Sequence, residues 1–310
     1  VDVRRFSSSV EPPAPDAVAR LGRSDDPVTG ILLVLGAMLL FSCSDATAKF
    51  LTESLSALEI AWIRYTTFTL LVLPAMLRAG SASLRARRPS VQIARGLCLL
   101  ASSLLFILGV SYLPMADATA TSFVSPLLTT ALAIPFLGEK VGIRRWAAVA
   151  IGLAGVLIVV RPGSSAFNPA SVLPLLSAAS WAMAMVITRK YSNVDAIVTM
   201  LAYAAVTGFV VLTLAQPLVW RTPSLLELGL GVFIGFASSA GQWLVVRAYR
   251  RASASVLAPF SYTQLVWSTM LGFAVFGAIP DGQTLLGASI IVASGLYTLH
   301  RERVTARKAR

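Results

Sequence analysis

Ten apolar runs of roughly 17 to 25 residues divide this chain, each the length a helix needs to cross the hydrocarbon core of a bilayer. They fall at about 28 to 49, 56 to 77, 90 to 113, 117 to 137, 145 to 161, 170 to 189, 195 to 219, 224 to 247, 254 to 277 and 283 to 300. Of the 310 residues 56% are hydrophobic and only 13% are charged. The pattern predicts an all-α integral membrane protein with ten transmembrane helices, because helices alone satisfy their backbone inside lipid without a closed sheet. Before the first run the chain is polar and proline-rich (SSSVEPPAPDAVARLGRSDDP), with no short apolar core and cleavage site. Residues 1–27 are therefore expected to be a disordered cytoplasmic tail rather than a signal peptide, and residues 301–310 a basic cytoplasmic tail.

The formal net charge of +12 would suit a nucleic-acid binder, but the placement of the charges excludes that reading. With the amino terminus inside and ten crossings, 22 of the 26 lysines and arginines fall on the cytoplasmic side, three fall outside, and Arg64 lies within a span. Positive loops resist translocation, so both termini are predicted to be cytoplasmic.

The chain also repeats. Phe41 lies on Trp181, Tyr112 on Tyr249, Gly138 on Gly277 and Gly155 on Gly295, at offsets of 137 to 140 residues. Each half, 28–161 and 170–300, holds five spans, an odd number, so the second must enter the membrane from the opposite side. Corresponding loops carry the opposite bias that this requires: GEKVGIRR is basic where GAIPDGQ is not, and SYLPMAD is free of basic residues where AYRRASAS is not. Two inverted five-helix repeats are an architecture of secondary transporters, with the site near the midplane between halves and access alternating as they rock.

The segment SYLPMADATATSFVSPLLTTALAIPFLGEKVGIRRWAAVAIGLAGVLIVVRPG resembles the end of the first repeat of an EamA-type carrier of the drug/metabolite transporter superfamily. AYRRASASVLAPFSYTQLVWSTMLGFAVFG is similar to the matching part of the second repeat. The likeness covers about residues 30 to 300. FSCSDATAKFL followed by ALEIAWIRY looks closest to the branch with bacterial S-adenosylmethionine and riboflavin carriers. The resemblance implies a secondary or facilitative transporter of a small organic metabolite in a bacterial inner membrane. Its partners would be the substrate, the lipid bilayer and protons if transport is coupled; it implies no cofactor. One departure stands out: the family often has a glutamate after the Phe-Gly that ends the ninth span, and this chain has Ala278, leaving Glu139 without a symmetric partner.

Charges in the hydrocarbon core are costly and mark function by default. Asp45 and Arg64 lie at comparable depth below the outer interface, roughly 6 to 11 Å at 1.5 Å per residue. Asp45 has two readings: it locks helices together through Arg64 or through Lys49, one turn later on the same face, or it faces the cavity and binds a cationic group or a coupling proton. Arg64 is an anchor for a substrate carboxylate or phosphate, or a structural partner of Asp45 and Glu59. Asp117 is expected to cap the start of the fourth span. Glu139, Lys140, Arg144 and Arg145 form a cytoplasmic cluster that anchors orientation or acts as an ion-paired gate.

Phe41, Trp181, Trp243, Tyr262 and Trp267 fall well inside their runs, away from the ends where interfacial aromatics sit. With Gln242, Ser180, Ser239, Ser261, Thr263 and Gln264 as polar handles, they suit a flat or amphipathic molecule, although packing alone also employs such residues. Pro126 and Pro259 break corresponding spans and are hinge candidates. A cationic or aromatic metabolite such as S-adenosylmethionine or riboflavin fits this set best; export of amino acids or amphipathic drugs is the alternative. A membrane-embedded enzyme is disfavoured, since no H-E-x-x-H or G-x-x-x-x-G-K-[ST] occurs, His300 has no sequence partner, and Cys43 and Cys98 sit in different runs as packing residues.

Overall fold

The computed structural model describes residues 27–80, 85–137, 143–162, 168–191, 195–251, 257 and 260–308, and among these it is helical, with no strand. The helices are α1 Pro27–Leu51, α2 Ala57–Ala79, α3 Pro89–Tyr112, α4 Met115–Ser122, α5 Ser125–Leu137, α6 Ile143–Val160, α7 Val172–Tyr191, α8 Ile197–Ala215, α9 Leu225–Arg251, α10 Thr263–Phe276 and α11 Gly282–Lys308. Each apolar run carries helix, the fourth in two pieces. Among the described residues six helices are long and apolar enough to span a bilayer, and Val149–Val160, Thr263–Phe276 and Gly282–Ser294 are shorter apolar segments. Large apolar side chains, including Leu32, Leu70, Leu77, Leu214 and Phe236, stand exposed, as lipid rather than water requires.

Local chemistry sets several boundaries. Ser56 and Glu59 form a capping box at the start of α2, and Ser224 and Glu227 exchange the same two bonds at the start of α9, at 2.7 and 3.2 Å. Pro89 opens α3 at a position where its missing N–H costs nothing. Gly277 closes α10 in the left-handed region at φ 66°, where a side chain would be strained.

The fourth run breaks at Phe123 and Val124, between α4 and α5. Pro126 stands just past the break, and a proline nitrogen cannot donate to the Ser122 carbonyl as a continuous helix would need. In the ninth run Phe260 and Ser261 are helical, Tyr262 forms a turn, and α10 begins at Thr263. Pro259 lies outside the described residues.

The packing of helices is symmetric under exchange of the halves. α1 packs on α9 and α10, while α7 packs on α3 and on α4 and α5; α2 meets α9 as α8 meets α3; α2 with α8 and α6 with α11 form pairs between equivalents, and the fourth run meets the ninth through α4 and α10. One cluster, with Leu51, Ile60, Ile107, Leu212 and Ile234, joins α1, α2, α3, α8 and α9. A second, with Leu127, Val149, Val156, Ala178 and Ile291, joins α5, α6, α7 and α11. α6 and α11 touch backbone to backbone: a Cβ on Gly155 would lie 2.9 Å from the Gly287 carbonyl oxygen, and one on Gly287 would lie 2.6 Å from that of Gly155.

Candidate functional site

The polar face of α1 is built for α10. Ser42 donates to the Gln264 carbonyl at 3.2 Å and lies 3.4 Å from the Ser268 hydroxyl. One turn on, the Asp45 carboxylate accepts from the Gln264 side-chain amide at 3.2 Å. Gln264 belongs to the first turn of α10, immediately after the break at Tyr262, so Asp45 faces the start of a half-helix, whose positive dipole end favours an anion. The Phe123 and Tyr262 rings, one at each break, lie 5.1 Å apart at 37°. The offset that carries Gly138 onto Gly277 carries Phe123 onto Tyr262, so the two interruptions meet through equivalent residues. Phe123 is the member of the site that sequence reasoning missed, because an aromatic side chain in an apolar run has no distinguishing signal.

Lys49 does not turn back to Asp45. Its ammonium donates to the Val110 and Leu113 carbonyls, each at 2.7 Å, and lies 5.4 Å from the Phe276 ring centroid. The last carbonyls of a helix lack intrahelical partners and attract a cation more strongly than a carboxylate already bonded elsewhere. Arg64 makes no ion pair with Asp45 or Glu59 among the described residues, although it is near enough to Asp45 to act on it electrostatically. Glu59 is occupied by Ser56 and by the Arg221 backbone N–H, the latter at 2.7 Å.

Asp117 does not cap its helix, whose N-cap is Pro114 without a side-chain bond. The carboxylate instead accepts from the Thr284 hydroxyl of α11 at 2.9 Å. Beside it, Asp281 caps α11 through the Thr284 N–H at 2.8 Å and pairs with both oxygens to the Arg161 guanidinium. That guanidinium, together with the Thr284 N–H, pulls the Asp281 carboxyl down to about 2, and the carboxylate in turn raises Arg161. Glu139 and Lys140 lie outside the described residues.

The aromatic set divides. Phe41 and Trp267 pack with Val34, Met38, Ala248 and Leu257, and the Phe41 ring fills the space over Gly241 of α9, where an added Cβ would lie 2.7 Å from it. The Trp267 indole N–H is buried without a partner among the described residues. Trp181 is 40% exposed and Trp243 54%, the latter with the Arg247 guanidinium 4.1 Å from its ring centroid. Gln242 is exposed beside it. Ser239 donates to its own helix at the Gly235 carbonyl, 2.7 Å away, and Thr263 to the Phe260 carbonyl at 2.6 Å. A separate apolar recess of about 340 Å³, lined by Cys43, Ala46, Thr47, Phe50, Leu230, Phe233, Leu271 and Val275, opens on a neighbouring face of α1.

A buried cluster on other elements also escaped the sequence reading. Gln92 of α3 donates to Asp195 at 2.7 Å and accepts from Arg95 at 3.1 Å, and Arg95 reaches the Met200 carbonyl, tying α3 to the first turn of α8 and to the segment just before it.

The model of the EamA-like transporter family matches residues 28–161 and again 168–299. An S-adenosylmethionine uptake transporter of Rickettsia bellii is 33% identical over 88% of this chain and 94% of its own length. A riboflavin transporter of Vibrio cholerae is 32% identical over 92% of this chain and 97% of its own length. One solved crystal structure, 22% identical, superposes with a TM-score of 0.60 over 89% of this chain and 99% of that one, and shares the fold.

Proposed function

This chain belongs to the EamA-like transporter family and is a multi-pass protein of the bacterial inner membrane, and on that premise we propose that it carries a cationic or aromatic metabolite by alternating access. S-adenosylmethionine is the first substrate of that class and riboflavin the second. The observation that carries this reading is similarity over nearly the whole length of relatives named for those two metabolites. Ten spans in two inverted repeats, 28–161 and 170–300, with both termini cytoplasmic, complete it; the exchange symmetry of helix packing and the loop charges support that arrangement. Asp45, Arg64 and Gln264 form the polar part of the site, and Phe41, Trp181, Gln242, Trp243, Tyr262 and Trp267 the wider binding set. The breaks near Pro126 and Pro259 supply the movement. Asp45 is also the residue that would carry a coupling proton.

Uptake of labelled S-adenosylmethionine and riboflavin into proteoliposomes, with and without an imposed proton gradient, tests the proposal. Saturable uptake of one of them is expected, with Asp45→Asn folding normally but losing dependence on the gradient. Uptake of neither by folded carrier would sink the substrate reading; an Asn variant with unchanged gradient response would remove the proton role.

A further inference from the structure

Among the buried and half-buried charged side chains of α1 and α2, two are saturated by the protein and two are not. Lys49 holds two carbonyls, and Glu59 holds Ser56 and the Arg221 backbone. Asp45 accepts one neutral amide bond, and no hydrogen bond or ion pair from the described residues reaches the half-buried Arg64 guanidinium. Opposite charges close together in a medium of low dielectric pair unless the backbone holds them apart, and each then retains its capacity for a partner of its own.

The second half has no counterpart of the two charges. Positions 182 to 185, which the repeat offsets of 137 to 140 place opposite Asp45, hold alanine and methionine; positions 201 to 204, opposite Arg64, hold leucine, alanine and tyrosine. The second half builds the equivalent contacts, α7 on α3 and α5 and α8 on α3, without them. A charge pair present in one half only, flanked by the start of a half-helix, has the asymmetry of a ligand site rather than of a scaffold.

We infer that Asp45 and Arg64 together read a 2-amino-carboxylate head on the substrate, the ammonium lying on Asp45 beside Gln264 and the carboxylate on the two-pronged guanidinium of Arg64. This deepens the proposed function and rests on it. S-adenosylmethionine carries such a head, and riboflavin does not. The Arg64 fork matches a carboxylate in two places at once, and Asp45 has lone pairs left once Gln264 has donated. The pair thus selects for zwitterionic amino-acid derivatives and leaves the remainder of the molecule to the aromatic residues.

The test is competition with labelled S-adenosylmethionine on purified carrier, using S-adenosylmethionine itself, its decarboxylated analogue, its deaminated 2-oxo analogue, methylthioadenosine, free methionine and riboflavin. Removing either head charge is expected to weaken competition by about tenfold to a hundredfold, the worth of a hydrogen bond to a charged group. Arg64→Ala should abolish the penalty for removing the carboxylate while leaving that for the amine, and Asp45→Asn should do the converse. The ligand series on the native carrier stands even where a variant fails to fold. Equal competition by the decarboxylated and intact compounds overturns the inference while leaving the transport of S-adenosylmethionine intact. Where the label does not bind, direct thermal-shift titration of the same compounds decides. Stabilisation by riboflavin alone overturns the inference and keeps the broader substrate class. Stabilisation by free methionine that requires both of its charges upholds the inference and removes S-adenosylmethionine. No stabilisation by any compound overturns both.

Discussion

Asp281 performs two tasks with one carboxylate: it caps α11 through the Thr284 N–H and fixes the Arg161 guanidinium at the end of α6. Arg161 adopts φ 52°, a conformation that costs a residue with a side chain, and the ion pair is what this residue gains there. Because the folded carboxyl is depressed to about 2, below the ordinary carboxylate value, its contribution is fully present above that ordinary range and is lost as pH falls toward the folded value. Melting temperature measured for the native protein and Asp281→Asn should therefore differ by a constant, modest amount from about pH 8 to about pH 5, with the native form higher. A gap that closes within that range would contradict the assignment. The sequence made the intramembrane charges visible, since so few interrupt the apolar runs. Their partners were not visible. Lys49 joins carbonyls 61 and 64 residues away, and Asp117 a hydroxyl 167 residues away. Only the packing of helices brings these groups together, so the expected cap at Asp117 did not form and Lys49, one of the partners open to Asp45, went elsewhere.

The interruptions in the fourth and ninth runs are the proposed hinges. α4 holds only 8 residues and α5 only 13, and the chain between them turns through short bonds, with the Val124 N–H on the Thr121 carbonyl at 3.2 Å. The Pro126→Ala variant would return the missing donor to the Ser122 carbonyl and favour one continuous helix. If the break is a hinge, this variant should bind substrate with nearly unchanged affinity and turn over several-fold more slowly. Unchanged turnover in proteoliposomes would show that the proline only starts α5. Pro126 was legible as a breaker because its backbone chemistry is local. The contact it serves was not, because Phe123 and Tyr262 find each other across 139 residues. The capping boxes at Ser56 and Ser224 have a local signature, and they place the starts of α2 and α9 without reference to tertiary structure.

At the scale of the whole molecule, the pairs of equivalent helices differ in how they are joined. The fourth and ninth runs meet through the Phe123 and Tyr262 rings at their breaks. α6 and α11 meet at Gly155 and Gly287 with no side chain between the backbones, which permits close van der Waals approach in a bilayer and little else. The repeat was legible in the sequence because glycines, aromatics and loop charges recur at nearly one offset; which equivalent pairs would touch was not, because that depends on where the symmetry axis falls. A contact this close makes α6 and α11 the candidate for a joint that stays fixed during transport. A Cβ at either glycine meets a carbonyl oxygen, not the far end of a flexible chain, so relief requires the helices to separate. Gly155→Ala and Gly287→Ala should each lower stability by about 1 to 3 kcal/mol. The double variant should cost clearly less than their sum, since the first methyl already opens the gap that the second needs. Thermal unfolding in detergent measures all three. Turnover per folded carrier should remain near the native value if this joint does not move during transport, and a loss of turnover larger than the loss of folded protein would place α6 and α11 among the moving parts instead.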